Sequence, residues 1–332
     1  MLTIRQNLLE TIRGGNPDRF VKQFEAHAGI PGRGPIGRTA ERAIPGGPPI
    51  VDAWGVTRVW PEGFPGGMPE HQDKSKIVIQ DIRHWRDYVK APETDYPEED
   101  WAEYAEAATK VDRNEYFCTI SVAPGLFEQC HHLMSIDVAL ANMIEEPDHM
   151  KDLIKYLRDY ELRLAENYTK YSKGDLMFHH DDWGGQNSTF FAPAMFDDFF
   201  LEPYKEIYGF YKANGVELIV HHSDSYAATL VPEMIEIGID VFQGCLTSNN
   251  VPDLIAKYGG KISFMGDLNN GVIEVPEWTP ELIRAEVERA CRTNGKHFFI
   301  PCLTAGGAGS TIPGIYDLVN QEIDRMSEIM FA

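Results

Sequence analysis

From about residue 115 onward, short apolar runs and amphipathic stretches take turns along the chain. The apolar runs predict strands at 116–122, 176–180, 216–221, 239–243, 261–265 and 297–302. Between and after them, periodicity predicts helices at 133–145, 148–172, 193–213, 226–237, 250–258, 279–294 and 313–330. Strands that alternate with helices pair in parallel and are joined by right-handed crossovers. Six such strands, with one or two more in the first third, close most economically as an eight-stranded TIM (β/α)8 barrel. A doubly wound sheet is disfavoured, because no Gly-x-Gly-x-x-Gly follows the first strand.

The first third reads differently. Residues 3–13 form an amphipathic helix that Gly14-Gly15-Asn16-Pro17-Asp18 ends. Residues 28–50 are dense in Gly and Pro and predict a surface arm or lid rather than packed structure. Residues 51–60 alternate as a strand does, 63–67 make a turn, and 76–79 are expected to pair back as a hairpin. Helices are expected at 81–90 and 95–111. No composition shift marks a linker. The expectation is one domain over 1–332, with arm, hairpin and helices in 1–110 and the main barrel in 115–332.

A formal net charge of -21 argues against nucleic acid and anionic membranes as partners. No apolar run reaches the roughly 18 residues of a membrane span. Met1–Gln6 shows no signal-peptide pattern, so a cytoplasmic location is expected. The five cysteines, at irregular spacing, predict free thiols or a ligand rather than a disulfide framework.

Chemistry gathers at the predicted strand ends, which in a parallel barrel converge on one mouth. Ala123-Pro124-Gly125-Leu126-Phe127-Glu128 follows the first of these strands. His179-His180-Asp181-Asp182-Trp183 follows the second, and His221-His222-Ser223-Asp224 the third. Gly266-Asp267 is weaker. Cys302 ends the last strand, 78 residues after Asp224. Histidine, cysteine and carboxylate together suit zinc, and a catalytic zinc site keeps one position open. Each residue also has a plainer role, as a hydrogen-bonded neutral histidine, a core cysteine or a helix N-cap.

Several motifs resemble the uroporphyrinogen decarboxylase superfamily. They are Asp181-Asp182-Trp183-Gly184-x-Gln186, Ala192-Pro193-Ala194-Met195-Phe196, Pro203-Tyr204, His222-Ser223-Asp224-Ser225, the run Leu230 to Asp240, and Phe264-Met265-Gly266-Asp267. The resemblance implies a TIM barrel with its active site at the C-terminal mouth. One branch decarboxylates a polycarboxylate without a cofactor and carries an arginine-rich N-terminal signature. Arg33, Arg38 and Arg42 occur here without that pattern. The other branch contains cobamide-linked methyltransferases that hold zinc by His-x-Cys and a later Cys. The equivalent positions here are His222, Asp224 and Cys302, with Asp224 replacing the expected cysteine.

An oxygen ligand in that place makes a harder, more Lewis-acidic ion. The expectation is therefore a zinc-dependent methyltransferase acting on an O-methyl donor such as an aryl methyl ether. The methyl group would pass to a cobamide supplied by a partner corrinoid protein, since no Asp-x-His-x-x-Gly signature is present. Glu128, His180 and Asp182 are the expected acid–base or positioning groups. Trp54, Phe127, Trp183 and Tyr226 are expected to sandwich the small methylated substrate. A metal-free decarboxylase and a methylcobamide:thiol methyltransferase are the alternatives. Monomer and homodimer both remain open.

Overall fold

The computed structural model describes residues 1–332 apart from 31–33, 39–41, 65 and 310. Its main sheet is built from β1 (His27–Gly29), β5 (Phe117–Val122), β6 (Leu176–His180), β7 (Leu218–His222), β8 (Val241–Cys245), β9 (Ser263–Leu268) and β10 (Phe299–Leu303). Between β1 and β5 in sequence lie β2 (Ile50–Val51), β3 (Thr57–Val59) and β4 (Met68–Pro69). The seven main strands are all parallel and pair in chain order, curling into a TIM-like half-barrel. Eight strands were expected and seven occur among the described residues. The two edges are tied by a side chain: Gln23 Nε2 donates to the carbonyls of Leu303 (3.3 Å) and Gly306 (3.1 Å).

Alternation along the strands sorts two apolar layers. Phe117, Leu176, Leu218, Val220, Val241, Met265, Ile300 and Cys302 share an inner cluster. Met177, Ile219, Phe242, Phe264 and Phe299 face outward into the larger cluster beneath the helices. The helix Ile4–Arg13 seals the base of the barrel. Thr3 and Gln6 form its capping box, and Gly14 ends it at φ 68°. Its Leu8 joins the inner cluster, and Arg5 bonds Asp175 (2.5 Å) and Glu217 (2.7 Å), which precede β6 and β7.

The first third departs from expectation. The expected arm contains β1, a full member of the barrel, and the short helix Gly34–Arg38. Arg33, and the side chain of Arg38, lie outside the described residues. Residues 76–79 do not close a hairpin. Strand β4 takes that place on β3, and the Asp73 side chain accepts from Ser75 N, turning 74–76 into a 3-10 turn. Ile79 N instead donates to Leu133 O (2.9 Å). The helix expected at 133–145 is two helices, Leu126–Met134 and Ile136–Glu145, broken at Ser135 with φ 79°. Among the described residues, no helix is long and apolar enough to cross a membrane.

Candidate functional site

Parallel pairing sets His179 beside His221 and His180 beside His222. Because faces alternate, His180 and His222 point into the barrel mouth, while their neighbours point out toward the helices. The inward rings stack with centroids 4.2 Å apart at 25°. His180 Nδ1 lies 2.7 Å from Glu128 Oε2, and His222 Nδ1 donates to Gln243 Oε1. Each ring thus spends Nδ1 on a fixed acceptor and keeps Nε2 for a ligand, the usual arrangement around a metal. Asp182 joins from the loop after β6, where its Oδ1 accepts from Asp224 N (2.9 Å). His180, Asp182 and His222 each offer a ligand atom, and those atoms lie within 4.8 Å of one another.

Of the expected metal set, only His222 belongs to that trio. Asp224 sits beside Asp182, and burial followed by the Asp182 charge pushes its carboxyl up to about 7. Cys302 is buried under the site against Gln243, and burial drives its thiol far above the ordinary range. Burial alone would depress His180. The Glu128 hydrogen bond and charge, then Asp182 and Asp224, outweigh it and lift His180 to about 9. Burial and then the His180 charge hold His222 down at about 4. Glu128 is raised by burial, against the pull of His180.

A buried polar layer holds these groups in place. Asp181 accepts from Phe127 N (3.0 Å), Glu128 N (2.7 Å), Trp183 Nε1 (2.9 Å) and the Tyr204 hydroxyl. It thereby caps the helix Leu126–Met134, whose own N-cap, Gly125, has no side chain to do so. Gly125 is required there, because a Cβ would stand 2.5 Å from Asp181 Cβ. Burial, then the Glu128 charge, raise Asp181 to about 7, while its donors pull the other way. On the outward side, the Tyr208 hydroxyl lies 2.9 Å from both His179 Nδ1 and His221 Nδ1. His221 Nε2 completes the chain on Asp181 O (3.1 Å).

The expected aromatic sandwich does not assemble. Phe127 and Trp183 are fully buried in a core of Phe191, Phe196, Phe200 and Tyr204. Tyr226 is half-buried beside Gly185, to whose carbonyl its N–H donates. Trp54 alone of the four lines the cavity of about 490 Å³ that adjoins Glu128 and His180. A second cluster, Glu128, His131 and His132, also brings ligand atoms together. Arg58 Nη2, 3.1 Å from His132 Nδ1, makes that position unfavourable for a cation.

Sequence reading passed over Gln243, Gln129 and Glu161, and gave Asp181 no role beyond its place in the strand-end cluster. Gln243 could have been found, since it falls on the inward parity of a strand whose neighbours bring histidines to the mouth. The donor trio fits a divalent ion on the chemistry of its atoms. Two imidazoles and a carboxylate are a known zinc set with one position left open.

No curated protein matches the chain. Among solved structures, a methyltransferase from Methanosarcina mazei superposes with a TM-score of 0.65 at 12% identity, covering 98% of this chain and 99% of that one. That likeness shows the fold. A D-psicose 3-epimerase solved in the presence of D-fructose reaches a TM-score of 0.35 at 14% identity, over 72% of this chain and 86% of that one, which is too low to carry an argument. The sequence profile for uroporphyrinogen decarboxylase (URO-D) matches residues 66–313. Matched over well more than half its length, the chain belongs to the uroporphyrinogen decarboxylase family.

Proposed function

We propose that the protein is a zinc-dependent methyltransferase. It takes a methyl group from a small O-methylated compound and passes it to the cobamide of a separate corrinoid protein. The observation that carries this reading is the trio His180, Asp182 and His222, converging at the open end of a parallel barrel. The Methanosarcina mazei methyltransferase that shares the fold supports the class of reaction. His180 Nε2, His222 Nε2 and the Asp182 carboxylate would hold the ion, which would supply Lewis-acid polarisation of the ether oxygen. Glu128 and Gln243 fix the two rings through Nδ1. In the transfer, the methyl C–O bond breaks and its electron pair stays on oxygen. The new bond to carbon is made with the pair of the reduced acceptor. Asp224, beside the trio, is the group that returns a proton to the departing oxygen.

Decarboxylation is the second reading, which family membership favours. The cavity opposes it. Its lining sets Arg42, Arg58 and a protonated His180 against Asp52, Glu128 and Glu161, with no cation in excess, and Arg58 is already bonded to Asp52 at 2.6 Å. A polycarboxylate needs an excess of cations.

Metal analysis of purified protein beside a His222→Ala variant, followed by methyl transfer from anisole and guaiacol to a reduced corrinoid protein, tests the proposal. Stoichiometric zinc lost in the variant, together with transfer that disappears with it, is the expected result. Metal-free protein with undiminished transfer overturns the zinc reading. Failure of every methoxylated donor overturns the methyl-transfer reading.

A further inference from the structure

The cavity beside Glu128 and His180 has two chemical loose ends. Gln129 and Glu161 both line it and are only 4% and 5% exposed. Gln129 Nε2 and Glu161 Oε2 make no hydrogen bond among the described residues. Glu161 Oε2 has His179 Nε2 at 3.2 Å, an ion-pair contact without hydrogen-bond geometry, so neither atom is hydrogen-bonded. Buried polar atoms are almost always paired, so a donor and an acceptor left over in the wall of one cavity call for an explanation. Both belong to terminal amide or carboxylate groups, whose last torsion is soft and can bring them to the cavity surface.

We infer that this cavity seats the non-reacting part of the substrate, a neutral aromatic ring bearing a free hydroxyl, and that Gln129 and Glu161 select for that hydroxyl. This rests on the reading of the barrel mouth as the reaction centre. A hydroxyl has the chemistry both groups lack, since it can donate to Glu161 and accept from Gln129. A carboxylate would meet Glu161 with like charge. An ammonium would answer Glu161 and leave the Gln129 N–H unpaired. The walls suit a ring. Trp54 stands edge-on to Tyr160 with centroids 4.9 Å apart, and Trp60 is fixed by its Nε1 bond to Phe64 O (2.9 Å). The volume of about 490 Å³ lies in the range of small-molecule pockets. Its contact with His180 sets a bound ring next to the donor trio.

Calorimetric titration of the full-length protein with guaiacol and with anisole tests this. Anisole is the smaller molecule and lacks only the hydroxyl, so it fits wherever guaiacol does. Guaiacol is expected to bind about 10- to 100-fold more tightly, the cost of leaving two buried groups unpaired. Gln129→Met and Glu161→Gln are expected to shrink that ratio severalfold each. In His222→Ala the ratio should persist while methyl transfer is lost, which separates recognition in the cavity from chemistry at the trio. Equal affinities in the wild type, or no binding of either probe, overturn the inference without any variant. A wild-type ratio that survives in both folded variants removes Gln129 and Glu161 from the recognition site.

Discussion

The rings of His180 and His222 stack at 4.2 Å, yet they titrate on opposite sides of neutrality, at about 9 and about 4. Two adjacent imidazoles cannot both carry a charge cheaply. Glu128 gives the proton to His180, and burial against that charge keeps it from His222.

On the proposed zinc reading, metal uptake must expel the His180 proton. Below about 9 the free protein holds that proton, so apparent zinc affinity should rise about tenfold per pH unit between about 7 and about 9. Competition against a chromophoric chelator at several pH values measures it. In Glu128→Gln the His180 value falls and the slope should flatten across the same window.

Tyr208→Phe should destabilise the protein by about 1–3 kcal/mol. The change strands the Nδ1 atoms of His179 and His221 without their shared partner. Urea denaturation reads the loss, and unchanged stability would show that the bridge is dispensable.

Gly125→Ala should cost about 1–3 kcal/mol by overpacking. A Cβ there meets Asp181 at 2.5 Å, and Asp181 is what holds the start of the helix carrying Glu128. Zinc affinity should fall along with stability, as the Glu128–His180 contact is displaced.

Acid should weaken the fold through His27. Its Nε2 is buried without a partner, and burial lowers the ring from 6.5 to about 4. The unfolded chain binds that proton first as pH falls. The contribution is whole above 6.5 and drains away toward 4, by at most about 3 kcal/mol. The difference in unfolding free energy between wild type and His27→Gln, followed from pH 7 down to about 4, isolates it.

Strands β6 to β10 were legible because both faces are largely buried, so their sequences are mainly apolar up to the polar residues at their ends. Strand β1 was not. Three residues, His27-Ala28-Gly29, beside a Gly- and Pro-rich stretch carry no periodicity, and the pairing with β5 that makes them a strand is tertiary. The helix Leu126–Met134 was read too late for a similar reason. Its cap is Asp181, more than 50 residues away, and no local residue announces it. Within the site, His180 and His222 were legible because they fall at the ends of predicted strands. Phe127 and Trp183 resemble substrate platforms in sequence, but aromatics next to reactive residues pack downward as readily as outward. Gln129 and Glu161 look like ordinary helix polar residues until the cavity beside them is seen.

The helix Ile4–Arg13 closes the base of the barrel with Leu8 and the Arg5 ion pairs. The interior is therefore entered from the mouth end and not through the base. If the acceptor is a separate protein, as proposed, it and a small donor cannot use that mouth together unless the donor is already inside. Such kinetics are compulsory in order. Saturating the macromolecule ahead of the small molecule should slow turnover rather than speed it.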